Sequence, residues 1–63
     1  MNDEARKHMD RALLSLKDVR QCLSIASGNA ENGTIKEKIE REIGHIDNCL
    51  QDFEGIVSGL SQK

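Results

Sequence analysis

The stretch Ser27–Thr34, SGNAENGT, lies almost midway along a chain of 63 residues, and how it is read decides the fold. Gly28 falls where a helix ending at Ser27 would want a left-handed residue just past its end. Thr34 followed by Glu37 has the T-x-x-E form of a capping box, which starts a second helix at Ile35. A stop signal and a start signal thus bracket a short connection over 28–33, of ordinary length for joining two helices. Asn32-Gly33 would also suit a strand hairpin. The apolar residues on either side, however, recur every 3.5 residues rather than every second one. The stretch is therefore read as a turn between helices, in which Asn32-Gly33 has no role beyond making the turn.

Working outward, the first half carries Ala5, Met9, Ala12, Leu16, Val19, Leu23, Ala26 and Ala30 at alternating steps of four and three, the spacing of a heptad seam. With Met9, Leu16, Leu23 and Ala30 on one rail, the other rail is Ala5, Ala12, Val19 and Ala26, so one rail is mostly large and the other mostly small. The second half repeats the spacing at Ile39, Ile43, Ile46, Leu50, Phe53, Val57 and Leu60, with both rails large. There is no proline and Phe53 is the sole aromatic; with Ala, Leu, Ile, Glu, Lys and Arg prominent, this composition suits helix throughout. The reading is all-α, a single antiparallel helical hairpin with helix 1 over about 3–27 and helix 2 over about 35–60. Asn2, ahead of Asp3 and Glu4, is a candidate cap for the first helix. Residues whose numbers total about 62 come level, pairing Leu23 with Ile39, Leu16 with Ile46, Ala12 with Leu50 and Met9 with Phe53.

A lone hairpin covers only one side of each seam, and a chain this short has little core with which to hold a fold alone. Pairing two hairpins into a four-helix bundle would cover the flanking residues Leu13, Cys22, Ile35, Cys49 and Ile56. A homodimer is therefore expected, with those five side chains at its interface.

Charge narrows the partners. Residues 1–27 hold five cationic against four acidic side chains, a balance of +1, and the remainder holds four against seven, a balance of −3. Neither half is a polybasic arm, so general affinity for nucleic acid or for an anionic membrane is not advertised. No apolar run approaches the roughly 20 residues of a membrane span, and the opening MNDEARKHMD has no apolar signal core. A cytoplasmic protein is the expectation, with Cys22 and Cys49 as reduced thiols.

Two resemblances enter on these residues. The length, the hairpin and the alternation of small and large seam residues resemble, in architecture, the Rop family of plasmid copy-number regulators. That likeness implies a dimeric four-helix bundle and binding to RNA loops. Separately, LLSLKDVRQCLSIAS and the later HIDNCLQDFEGIVSGL are similar to a family of short, uncharacterised helical proteins of spore-forming bacteria. This second likeness implies a bacterial cytoplasmic or spore protein with no known reaction.

Several constellations carry potential chemistry. Glu42 and His45 form the E-x-x-H spacing that di-iron bundles use on one helix face, but they fall off the seam, whose inward positions nearby are Ile43, Ile46, Leu16 and Val19. A solvated helix face is the expectation rather than a metal centre. His45 and Cys49, four apart, could also grip zinc from one face, yet two ligands do not complete a site. Cys22 and Cys49 lie about ten residues out of level, roughly 15 Å along the axis, too far for a disulfide. No serine, histidine and acid are spaced so that one would activate another. Neither enzyme activity nor a cofactor is expected.

Arg6, Lys7, Arg11, Lys17 and Arg20 are the only footprint for RNA, and they are interleaved with Asp10 and Asp18 without an aromatic for base stacking. Leu14 and Ile25, eleven apart, share one stripe on the outside of helix 1, off the seam. Gly44, Gly55 and Gly59 line the outer side of helix 2, where each costs about 1 kcal/mol relative to alanine. Either close approach of another helix or drift on an exposed surface would account for them. NGT at Asn32–Thr34 matches a glycosylation acceptor but lacks a secretory context. The leading functional expectation is a small regulatory or adaptor protein that binds a protein partner through Leu14 and Ile25. The alternatives are a Rop-like RNA regulator using helix 1 and a metal-binding carboxylate bundle.

Overall fold

The computed structural model describes residues 2–61. It consists of two helices, α1 (Asn2–Asn29) and α2 (Gly33–Ser61), packed along one another as a hairpin. The molecule is a ribbon with principal extents of 49 × 15 × 10 Å. Both helices run further toward the turn than the spacing of apolar residues predicts, and only residues 30–32 separate them.

The turn differs from its predicted chemistry in two ways. Gly28 is not a left-handed terminator: it lies inside α1, and none of the described residues has a positive φ. The helix instead closes one step later, with Ala30 N–H donating to the Ser27 carbonyl at 3.3 Å, an i→i+3 bond that tightens the last turn. Glycine permits a left-handed conformation but does not require it. The cap of α2 is Asn32 rather than Thr34. The Asn32 Oδ1 accepts from the backbone N–H of Thr34 at 2.9 Å and of Ile35 at 3.1 Å. The Asn32 carbonyl meanwhile accepts from Lys36 N–H at 2.9 Å, the first bond of the helical ladder. These are the two duties of an N-cap residue, and asparagine performs them at least as well as threonine. The cap at Asn32 also gains helix at Gly33 and Thr34, which a cap at Thr34 would leave outside. Asn32-Gly33 thus has a defined role as cap and first helical residue.

The seam of α2 falls largely as its spacing predicts. Ile39, Ile43, Ile46, Leu50, Phe53, Val57 and Leu60 are all partly buried, joined by Asp47 and Cys49. On α1 the large rail of Met9, Leu16 and Leu23 is likewise partly buried, but of the small rail only Ala12 is. Ala5 and Ala26 are exposed and Val19 is 44% exposed. Their places facing α2 are taken by Leu13, Arg20 and Ser27, the last being the only buried residue among those described, at 6%. At about 100° per residue, the apolar stripe of α1 points roughly 30° to one side of the direction that its burial marks.

Two polar contacts join the helices on the side toward which α1 is turned. The Arg20 guanidinium grips Asp47 through both carboxylate oxygens, Nε to Oδ1 and an Nη to Oδ2 at 3.3 Å. Ser27 Oγ donates to Glu40 Oε2 at 3.4 Å. In both pairs the residue numbers total 67, five more than the level pairs expected from the seam. Side chains lean toward the N-terminus of their own helix. In this hairpin that is away from the turn on α1 and toward it on α2, so residues that meet have backbones offset along the axis.

Candidate functional site

No apolar side chain among the described residues is buried. What function the hairpin has must therefore be sought on its surfaces, and the helical phase sorts these into two broad faces and two edges.

One broad face is polar. It carries the Arg20–Asp47 pair and Ser27–Glu40, with Lys17, Lys36 and Glu54 beside them and Leu13 and Ile43 beneath. The bidentate fork holds the Arg20 charge firmly and keeps the Asp47 carboxyl below its ordinary range, chiefly through the hydrogen bond from Arg20. The guanidinium is correspondingly raised by the hydrogen bond to Asp47 and by its charge. Both side chains remain about half exposed, so the pair orients the helices more than it stabilises them.

The opposite broad face carries three of the exposed large apolar side chains among the described residues, Val19, Ile35 and Ile56. On α1 it presents Ala12, Val19 and Ala26, with Cys22 at the margin; on α2 it presents Ile35, Cys49, Phe53 and Ile56. Ile35 and Ile56 are 47% and 49% exposed, more than a side chain sealed into a hairpin seam would be. Glu42 stands in the same column of α2 as Ile35, Cys49 and Ile56, at heptad spacing, while Lys38 shares the direction of Ile56 and His8 that of Ala26; Ser15 and His45 lie at the margin. Of the five flanking residues expected to close a dimer, Cys22, Ile35, Cys49 and Ile56 share this side. Leu13 sits on the polar face instead.

The edges are the outer sides of the two helices. Leu14 and Ile25, 64% and 55% exposed, lie on the side of α1 that points away from α2. Gly44, Gly55 and Gly59 lie on the corresponding side of α2, where a Cβ added to any of them would meet no neighbouring atom within 4 Å.

The remaining constellations are dispersed. His45 Nδ1 approaches Glu42 Oε2 at 3.6 Å on an exposed stretch of α2, and no group of three or more metal-ligating side chains is gathered among the described residues. Cys22 and Cys49 are free thiols. Of the cations of α1, Lys7 pairs along the helix with Glu4 at 3.9 Å and Arg20 is engaged with Asp47; Arg6 and Lys17, eleven apart, share one line on the polar face, while Arg11 stands on another side of the helix. No helix among the described residues is long and apolar enough to cross a membrane. Compared with protein-family models, curated proteins and solved structures, the chain matches none.

The sequence pattern missed Arg20 and Ser27 as seam residues. Each is flanked by an apolar seam position, and the partners that draw them inward are 27 and 13 residues away. The one available signal was that Asp47 and Glu40 both stand next to the α2 seam.

Proposed function

We propose that this protein is a non-enzymatic interaction protein, a small adaptor or regulator that works as a dimer of helical hairpins and engages a protein partner through the outer edge of α1. One observation carries the reading. The chain spends two helices of 28 and 29 residues on surfaces rather than on a core, and five large apolar side chains among the described residues are exposed. An exposed apolar stripe on a rigid helix is the usual means of docking against another protein. Leu14 and Ile25 are three helical turns apart on one line, and they are separated from the broad apolar face, so two distinct surfaces are available to two distinct contacts.

The test is a double substitution, Leu14→Ser with Ile25→Ser, read by native mass spectrometry of protein captured gently from its own cell extract. The expected result is unchanged helicity and unchanged self-association mass, with loss of the second polypeptide that accompanies the wild-type chain. Collapse of the helical signal, or undiminished capture of that polypeptide, overturns the assignment of this edge.

A further inference from the structure

Asn32-Gly33 is the one place in the sequence where an asparagine is followed by a glycine; Asn2, Asn29 and Asn48 precede Asp3, Ala30 and Cys49. That pairing has a chemistry of its own. The backbone nitrogen of the residue after an asparagine can attack the side-chain amide carbon. The new N–C bond closes a five-membered succinimide ring, the bond from that carbon to the amide nitrogen breaks, and ammonia leaves. Water then opens the ring at either carbonyl. One opening gives aspartate, and the other gives isoaspartate, in which the main chain runs through the former side chain. Water is the sole co-reactant. Glycine in the second position favours ring closure because no Cβ obstructs its nitrogen and its backbone turns freely.

The cap of α2 controls whether the two groups meet. Both residues are exposed, so water reaches the amide. The Asn32 Oδ1, however, is held by the N–H groups of Thr34 at 2.9 Å and Ile35 at 3.1 Å. The Asn32 carbonyl is held by Lys36 N–H at 2.9 Å, and Gly33 is already the first residue of α2. Ring closure places the Gly33 nitrogen on the side-chain carbon, in one nearly flat ring with the Cα, Cβ and carbonyl carbon of Asn32. The capped side chain is drawn toward Thr34 and Ile35 instead and must release both N–H groups first. The reactive form is therefore the uncapped one, and helix ends are where a folded chain opens most readily.

The same bonds distinguish the two products. Aspartate at position 32 offers an oxygen to the same N–H groups and adds a negative charge at the positive end of α2. Isoaspartate inserts an extra backbone atom between positions 32 and 33, which takes the side chain out of capping register and frees the first turn of α2.

We propose that Asn32 is a deamidation site gated by the cap of α2: the folded hairpin preserves the amide, and opening of the first turn exposes it to the Gly33 nitrogen.

The test uses the full chain, incubated at mildly alkaline pH in native buffer and in denaturing urea. Mass spectrometry of the tryptic peptide spanning 21–36 locates the amide-to-acid change, and chromatography separates aspartate from isoaspartate. Conversion at Asn32 is expected in both conditions, at least about fivefold slower in native buffer from the worth of the capping interaction alone. Gly33→Ala supplies the second measurement. Its added Cβ meets no neighbouring atom within 4 Å and the position has no positive φ, so the variant should keep the helical signal of the wild type and lose most of the conversion in urea. Equal rates in buffer and urea overturn the gating while leaving the site. Conversion at Asn29 instead, or none at Asn32 in urea, overturns the site. Undiminished conversion of Gly33→Ala in urea overturns the route through the Gly33 nitrogen.

Discussion

Replacing Gly44 and Gly55 together by alanine tests whether the outer edge of α2 is free. Both residues lie within α2, away from its ends, and an added Cβ meets no neighbouring atom within 4 Å at either. Neither has a positive φ, so alanine fits the existing backbone without strain. Glycine in an exposed helix interior costs about 0.5–1 kcal/mol relative to alanine, mostly because the unfolded chain loses more freedom when it folds. The pair should therefore stabilise the hairpin by about 1–2 kcal/mol. For a domain of this size that corresponds to a rise in melting temperature of about 5–15 °C. The gain per chain is the same whether the folded unit is one hairpin or two, since both the stabilisation and the unfolding entropy double together. Thermal melts followed by far-ultraviolet circular dichroism, at two protein concentrations a hundredfold apart, measure the shift and separate it from any change in association. An unchanged or lowered melting temperature refutes the reasoning. It would mean that another helix approaches α2 closely along the glycines, where a methyl group intrudes.

The cap of α2 gives a sharper contrast: Asn32→Ala should cost about 1 kcal/mol, whereas Thr34→Ala, which removes no capping oxygen, should stay within about 0.5 kcal/mol. Equal losses in denaturant titrations of the two variants would return the cap to Thr34. The Arg20–Asp47 pair makes a prediction in pH. The Asp47 carboxyl is lowered in the folded protein, so its stabilising contribution is complete above the unfolded value of about 3.9 and is lost as pH falls through the lower folded value. Asp47→Asn should therefore melt below wild type at neutral pH, with the gap closing as pH drops below about 4; a gap independent of pH refutes the pairing.

Much of the fold was legible because a heptad is a local, repeated signal. The steps of four and three from Ile39 to Leu60 locate the inner side of α2, and the run from Met9 through Leu16 to Leu23 locates the large rail of α1. The turn was legible as a turn but not in its chemistry. Gly28 can end a helix and Thr34 can begin one, and so can Asn32; local residue type does not choose among them when each choice is sterically allowed. The choice falls to Asn32 because its side chain accepts two N–H groups at once and extends α2 by two residues. Leu14 and Ile25 were legible as an outer stripe, since eleven residues make almost a whole number of turns. Leu13 and Cys22, both flank residues, lie on opposite broad faces, because membership of a flank says nothing about which of the two faces the flank belongs to.

The sequence by itself determined that two long helices form, that they fold back on one another, and that one side of each is apolar. Those properties depend on spacings of three and four residues and on the backbone preferences of single positions. Only the tertiary structure decided how far α1 is rolled about its own axis. That roll goes with Arg20 meeting Asp47 and Ser27 meeting Glu40, side chains far apart along the chain whose encounter exists only once the helices are side by side. It brings Arg20 and Ser27 inward and turns Val19 and Ala26 outward, so that one face of the hairpin carries the ion pair and the other carries Val19, Ala26, Ile35 and Ile56.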